Sequence, residues 1–244
     1  MRILLISDIH ANLVALETVL AKAVPFDAIW CLGDVVGYGP EPNACIERLC
    51  SFDLLCLAGN HDWAALGKLD LEEFNTDARR AAIWTREQLT PANLEWLKDL
   101  PETVPTQADR FSLVHGSPRY PIWEYVLTPA VARTNFDFFD TPICFMGHTH
   151  VPVVYRIRSL DRATTADSLP ENSPLKLNPD RMMINPGSVG QPRDGDPRAA
   201  YALLDLDAMT LTHSRVDYDI AATQEKMEQF GLPRRLITRL SYGW

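Results

Sequence analysis

Histidines stand at His10, His61, His115, His148, His150 and His213, and five of the six lie in short polar clusters. In chain order the clusters read Asp8-Ile9-His10, Gly33-Asp34, Gly59-Asn60-His61-Asp62, His115-Gly116 and Gly147-His148-Thr149-His150. Carboxylate, imidazole and carboxamide are the donors that first-row divalent metals accept, about four to six per ion. A lone histidine after a strand more often packs or hydrogen-bonds than binds metal. Five clusters in series hold enough donors for two ions, one aspartate bridging them, and no thiolate is involved. Glycines at 33, 59, 116 and 147 suit places where a strand breaks sharply or backbones approach closely. His213, in an alternating stretch at 210–215 without polar partners, reads as structural or exposed.

Short apolar runs precede the clusters, so the donors are expected on loops at strand ends, where open α/β sheets bind ligands. Residues 2–7, 28–32 and 54–58 read as strands, with helices over 12–24 and 42–49 between them. That β-α-β-α-β order implies parallel, buried strands. Asn12 is placed to cap the first helix. Residues 63–100 look helical, with one helix at 76–89 and a second opened by Thr90 and Pro91. Further strands are expected at 111–114 and 143–146, with 151–157 returning beside the latter. Residues 159–180 read as a loop or hairpin excursion. Strands at 182–184, 200–206 and 211–216 follow, then helices at 219–230 and 233–240. No composition shift marks a boundary, so residues 1–244 are expected to form one domain.

The chain has 244 residues, 46% of them hydrophobic and 23% charged, with a formal net charge of −9. Such a chain repels a nucleic-acid backbone unless a basic patch or bound metal reverses the sign locally. No Lys/Arg run does so, and no stable duplex binding is expected. The five cysteines are odd in number and form no CxxC pair, which suggests reduced, packed thiols in a cytoplasmic protein. The apolar run ending at Asp8 is too short for a signal-peptide core or a membrane span, and no membrane association is expected.

The series D-x-H, G-D, G-N-H-D, H-G and G-H-T-H resembles the calcineurin-like metallophosphoesterase superfamily, over residues 3 to about 206. Gly33–Pro40 (GDVVGYGP), His115-Gly116-Ser117-Pro118, and the stretch NPGSVGQPRD at 185–194 resemble its small, single-domain bacterial and archaeal phosphoesterases. The resemblance implies a four-layer α/β/β/α sandwich with two mixed sheets. It also implies hydrolysis of phosphate esters by in-line attack of a metal-bridging hydroxide. Asp8, His10 and His150 would bind the first metal, and Asn60, His115 and His148 the second, with Asp34 bridging. His61 would assist the leaving group without binding metal. Two divalent or trivalent ions are implied, Mn or Fe favoured, with Zn, Co or Ni also compatible with the donors.

Ser/Thr protein phosphatases of the superfamily continue the second motif with Asp-Arg-Gly, where this chain has Gly37-Tyr38-Gly39. An arginine that would hold a phosphomonoester dianion is therefore missing, as is a carboxylate that would orient His61. The expected substrate is a small phosphate ester, favouring diesters and including nucleotides. Phosphomonoesters and dinucleoside polyphosphates are the alternatives, and a non-catalytic scaffold of the same fold is a remote one, since every ligand position is filled. Asp62 stands either as a substitute orienting group or as a backbone-bonding residue. Arg119 and Arg193 are candidate phosphate contacts, each with a salt bridge as its plainer reading. Of Trp63, Trp84, Trp96 and Trp123, most are expected to pack; Trp123 and Tyr125 are the best stacking candidates. Gly187-Ser188 reads as a sharp turn. The oligomeric state is left open.

Overall fold

Alternation along the strands builds the layers. The computed structural model describes residues 1–106, 110–158, 163–177 and 180–244. Its first half runs β1 (Arg2–Ile6), α1 (Leu13–Lys22), β2 (Ala28–Cys31), α2 (Pro42–Leu49), β3 (Leu54–Cys56) and α3 (Asn60–Leu66). A 3-10 turn (Leu71–Glu73), α4 (Thr76–Gln88) and α5 (Pro91–Lys98) follow. The chain continues with β4 (Thr103–Thr106), β5 (Phe111–Val114), α6 (Pro129–Asn135), β6 (Ile143–Phe145), β7 (Val153–Ile157) and β8 (Thr164–Asp167). It closes with β9 (Leu175–Lys176), β10 (Arg181–Asn185), β11 (Ala199–Asp205), β12 (Thr210–Val216), α7 (Ile220–Gln229) and α8 (Arg234–Arg239).

Two six-stranded sheets result, in the orders β3-β2-β1-β11-β12-β9 and β4-β5-β6-β10-β7-β8. Successive side chains of a strand face opposite ways. Ile3 and Leu5 of β1 therefore meet Phe111, Phe145 and Ile184 of the second sheet, in the core between the sheets. Leu4 and Ile6 face the other way, onto Leu16, Val19 and Leu20 of α1 and Ile46 and Leu49 of α2. The second sheet repeats the pattern, with Cys144, Met183 and Tyr155 turned outward against Ala132 of α6 and the adjoining Phe136. Helices thus flank two mixed sheets in the expected four-layer α/β/β/α order. Burying a strand on both faces at about 25 cal/mol per Å² of apolar surface makes β1 a large contributor to stability.

The helix starts follow their expected caps. Asn12 Oδ1 accepts from Ala15 N, and Thr90 Oγ1 from Asn93 N with Pro91 at the first helical position.

β1 to β3 are parallel as anticipated, and β1's other neighbour, β11, is antiparallel, so the sheet is mixed as the resemblance implied. One pairing needs correction. β7 does not return beside β6; β10 lies between them, parallel to β6 and antiparallel to β7. Met182, Met183 and Ile184 are buried on both faces, which suits a strand near the middle of the sheet; β7 lies one place further out, with Arg156 half-buried and paired to Asp167 of β8. Within 159–180, β8 pairs with β7 and β9 with β12, while 159–162 and 178–179 lie outside the described residues. β4 and α6 were also not anticipated.

Candidate metal centre

Asp8 and His10 follow β1, Asp34 follows β2, Asn60 and His61 open α3 after β3, His115 follows β5, and His148 and His150 follow β6. These ends meet where the two sheets face each other. All eight side chains are buried. Two groups of donors form, Asp8, His10, Asp34 and His150, and Asp34, His115 and His148, with the donor atoms of each group within 4.8 Å of one another. Asp34 belongs to both. Asn60 Oδ1 lies 3.2 Å from His115 Nε2 and so joins the second group.

Each ligand-type histidine has one ring nitrogen tied to a backbone carbonyl. His10 Nδ1 faces Val36 O at 3.2 Å, His115 Nδ1 faces Leu32 O at 2.9 Å, and His150 Nδ1 faces Gln191 O at 2.5 Å. His148 is reversed, with Nε2 facing Trp123 O at 3.1 Å. A carbonyl only accepts, so each of these nitrogens carries the proton. In the neutral ring the other nitrogen then carries the lone pair, and it points inward. Those inward nitrogens converge: His10 Nε2 is 3.1 Å from His150 Nε2, and His115 Nε2 is 3.2 Å from His148 Nδ1.

Asp34 tests whether this donor set fits a cation. Its Oδ1 accepts from His61 N at 2.8 Å. Its Oδ2 is buried without a hydrogen-bond partner, 3.6 Å from His10 Nε2 and 3.4 Å from His115 Nε2. A buried carboxylate oxygen left unpaired is costly. Facing lone pairs from both groups, it fits a positive charge between them. The fit favours a hard or borderline divalent ion.

The electrostatics agree. Burial drives His10, His148 and His150 well below the usual imidazole range, into the neutral ligand form. Burial also lowers His115, but the charge of Asp34, 3.4 Å from its Nε2, outweighs that and raises His115 to about 9. Burial works against the Asp34 carboxylate too, yet His115, His61 and His10 hold it below the usual carboxylate range. Asp8 is pushed up to about 7, chiefly by burial. A proton on His115 and a metal ion answer the same demand from Asp34, so metal binding should release protons.

The backbone here is strained. Asp8, His10, Asp34, His148 and His150 all adopt φ between 50° and 64°, a region few non-glycine residues occupy. The candidate ligands themselves make the sharp breaks, and neighbouring glycines admit the close approaches. A Cβ at Gly59 would fall 2.1 Å from Asp34 Oδ1.

Asp62 resolves to the backbone-bonding role. Its Oδ2 accepts from Asp34 N and Gly59 N at 2.9 Å each and Val35 N at 3.4 Å, and Oδ1 from Val36 N at 3.0 Å. It clamps the Asp34 loop to the start of α3 and leaves His61 alone. His61 Nδ1 has no partner; the ring is wedged between Tyr38, His10 and Phe74 at centroid distances of 4.1, 5.0 and 5.3 Å. Burial lowers its pKa to about 4.

Of the two candidate arginines, Arg119 pairs with Glu124 and stacks over Tyr120. Arg193 has no carboxylate partner among the described residues. Asp194 and Asp196 pair instead with Arg215 and Arg198. The Arg193 guanidinium donates to Gln191 Oε1, sits 5.7 Å over the Tyr38 ring, and acts electrostatically on His10, His61, His148 and His150. Trp84 packs on Phe230 and Trp96 joins the core, whereas Trp123 and Tyr125 lie beside His148, Tyr125 stacked at 3.9 Å and 44% exposed. His213 is buried on β12, away from the cluster.

Sequence reasoning missed the braces. Asn185 Nδ2 donates to Gly147 O and Thr149 Oγ1, holding the loop of His148 and His150. Ser188 Oγ donates to Asp8 O at 2.8 Å. The 185–190 stretch, of which Gly187-Ser188 was read as a turn, therefore supports both groups; its run of small and amide residues was the available signal. Tyr38, with φ of 60°, was read only as an absent arginine.

Comparison with known proteins places this geometry. Residues 1–209 match the model of the calcineurin-like phosphoesterase superfamily domain. The chain is 39% identical over 249 residues to the uncharacterized protein MJ0912 of Methanocaldococcus jannaschii, covering 99% of this chain and 98% of that one. A crystal structure of a metallophosphoesterase from Sphaerobacter thermophilus is 48% identical, with a TM-score of 0.91 and coverage of 100% and 99%. The crystal structure of hypothetical protein PH1004 from Pyrococcus horikoshii OT3 shares the fold, with a TM-score of 0.80 at 19% identity and coverage of 100% and 98%.

Proposed function

We propose a function from one premise: the chain belongs to the calcineurin-like phosphoesterase superfamily, to whose domain model residues 1–209 match. It is a metal-dependent hydrolase of phosphate esters that prefers diesters. The observation that carries this is Asp34 Oδ2, buried, unpaired and common to both donor groups. Asp8, His10, Asp34 and His150 would hold one ion, and Asp34, Asn60, His115 and His148 the other, with Mn or Fe favoured. Bound there, two such ions supply Lewis acidity toward phosphoryl oxygens and a water of lowered pKa.

The chain's own residues do the rest. Tyr38 packs against His61 and His10 and fixes the attitude of the His61 ring, a duty a carboxylate performs in the protein phosphatases. With its pKa lowered to about 4, His61 is neutral near pH 7. It offers the leaving oxygen an N–H, and an arriving phosphate anion raises its basicity. Arg193 is the guanidinium free to meet a phosphoryl oxygen. One such group suits the single charge of a diester better than the dianion of a monoester. α7 and α8, beyond residue 209, pack on α1 and around Tyr38, which supports reading residues 1–244 as one domain. Among the described residues no helix is long and apolar enough to cross a membrane, and all five cysteines are free. Free thiols fit a cytoplasmic setting.

The test is hydrolysis of bis(p-nitrophenyl) phosphate against p-nitrophenyl phosphate after chelation and Mn²⁺ addition. Mn²⁺ should restore activity, with the diester cut faster. Faster cleavage of the monoester would put a phosphomonoesterase in its place. No cleavage of either, with two metals bound, would refute the enzyme.

A further inference from the structure

Most arginines beside acidic neighbours in this chain are paired, as Arg198 is with Glu171 and Asp196, and Arg215 with Asp194. Three others are not: among the described residues Arg193, Arg235 and Arg239 have no Asp or Glu partner. Arg235 and Arg239 lie four residues apart on α8 and so share a face. Leu236, Ile237 and Leu240 seat that helix in the cluster that holds Tyr38. Arg239 is half-buried, and its Nε donates to the Trp244 carbonyl. Burial first, then repulsion from Arg193 and Arg235, pushes its pKa down to about 10, and Tyr38 and Tyr125 are also close enough to act on it. Tyr38 touches His10 and His61, and Tyr125 stacks on His148. Leu240, which follows Arg239, lines a small gap together with His10, Tyr38 and Gln191, so the end of α8 borders the metal centre. Beside it lies a cleft of about 470 Å³, lined by Arg234, Arg235, Thr238, Arg239 and Trp244. Trp244 is 62% exposed and stacked on Tyr242, giving that cleft an aromatic wall.

Like charges gathered without Asp or Glu partners, in a chain of net charge −9, favour an anion between them. We propose that Arg235 and Arg239, next to Arg193, form a second anion subsite, which takes a phosphate of the substrate other than the one being hydrolysed. The inference rests on the phosphoesterase reading and narrows its substrates to organic phosphates carrying a further phosphate group. Guanidinium suits that role because its planar donors match phosphate oxygens in pairs.

The test uses two substrates that differ only there: thymidine 5′-(p-nitrophenyl phosphate) with and without a 3′-phosphate. In the Mn²⁺-loaded protein, kcat/KM should favour the 3′-phosphorylated ester about tenfold or more, the equivalent of one good charged contact. Arg239→Gln and Arg235→Gln should each bring that ratio down at least threefold, and Arg239→Lys should keep most of it. Arg235 is exposed, so its variant tests the idea even if Arg239→Gln unfolds. Calorimetric titration with thymidine 3′,5′-bisphosphate and thymidine 5′-phosphate repeats the comparison without turnover. Equal affinity for the two in the wild type, or a preference untouched in both glutamine variants, would overturn the subsite. If neither ester is cut, the hydrolase reading fails, and the titration still decides the subsite.

Discussion

Replacing Asp62 by asparagine separates two duties that its place beside His61 leaves open in the sequence. The carboxylate is fully buried and accepts four backbone N–H groups, three at Oδ2 and one at Oδ1. An amide keeps one acceptor oxygen and turns an NH₂ toward the remaining donors. The better orientation keeps the three contacts at Oδ2 and orphans Val36 N, a loss of about 1–3 kcal/mol. The three kept bonds lose their charge assistance, roughly halving each. Relief offsets part of this, because burial and the Asp34 charge push the Asp62 carboxyl up. The net expectation is about 2–4 kcal/mol. For a chain of this length that lowers the melting temperature by roughly 5–15 °C. Because the clamp holds the Asp34 loop, metal affinity should also fall about 10–100-fold, as it does for other groups supporting ligands. Thermal melts of metal-free protein, followed by metal titration, measure both. A melting temperature within about 2 °C of wild type, together with a large fall in kcat, would refute the clamp and make Asp62 the group that orients His61.

Asp34→Asn should weaken both metals together, read by metal content after dialysis; loss of one alone would argue against a bridge. His61→Ala should retain both metals while kcat falls by roughly 10²–10⁴, and an emptied site would show that His61 is a ligand. His213 offers a test of acid stability away from the centre. It is 3% exposed, neither ring nitrogen has a partner among the described residues, and burial, aided by Arg215, lowers its pKa to about 4. An unfolded histidine titrates near 6.5. Wild-type stability is therefore unaffected by this group above about pH 6.5. It is lost as pH falls from there toward 4, by up to about 3 kcal/mol. His213→Leu should remove that loss, so its urea midpoint should gain on wild type between pH 7.5 and 5; a constant difference would refute the assignment.

How much of this was legible in the sequence follows from which interactions are local. Each donor cluster is contiguous: Asp8 with His10, Asn60 with His61, His148 with His150. A strand running into a tight polar turn is a local event, so donor types and their place at strand ends can be read directly. The strands were legible for the same reason, since alternation states which residues of β1 face the same way. It cannot state which sheet meets which face. The placement of β10 between β6 and β7, and the antiparallel neighbour of β1, depend on pairings across long stretches of chain.

The sequence by itself determined the donor inventory, the acidic balance of the chain, and the missing arginine at Tyr38. Only the tertiary structure decided what the polar residues outside the clusters do. Asp194 and Asp196 are taken by Arg215 and Arg198, which leaves Arg193 unpaired, and Glu124 is taken by Arg119. No Lys/Arg run was visible, yet Arg193 sits over the ring of Tyr38 and Arg239 of α8 is close enough to act on it. Charges act through distance in space, and folding sets that distance independently of separation along the chain.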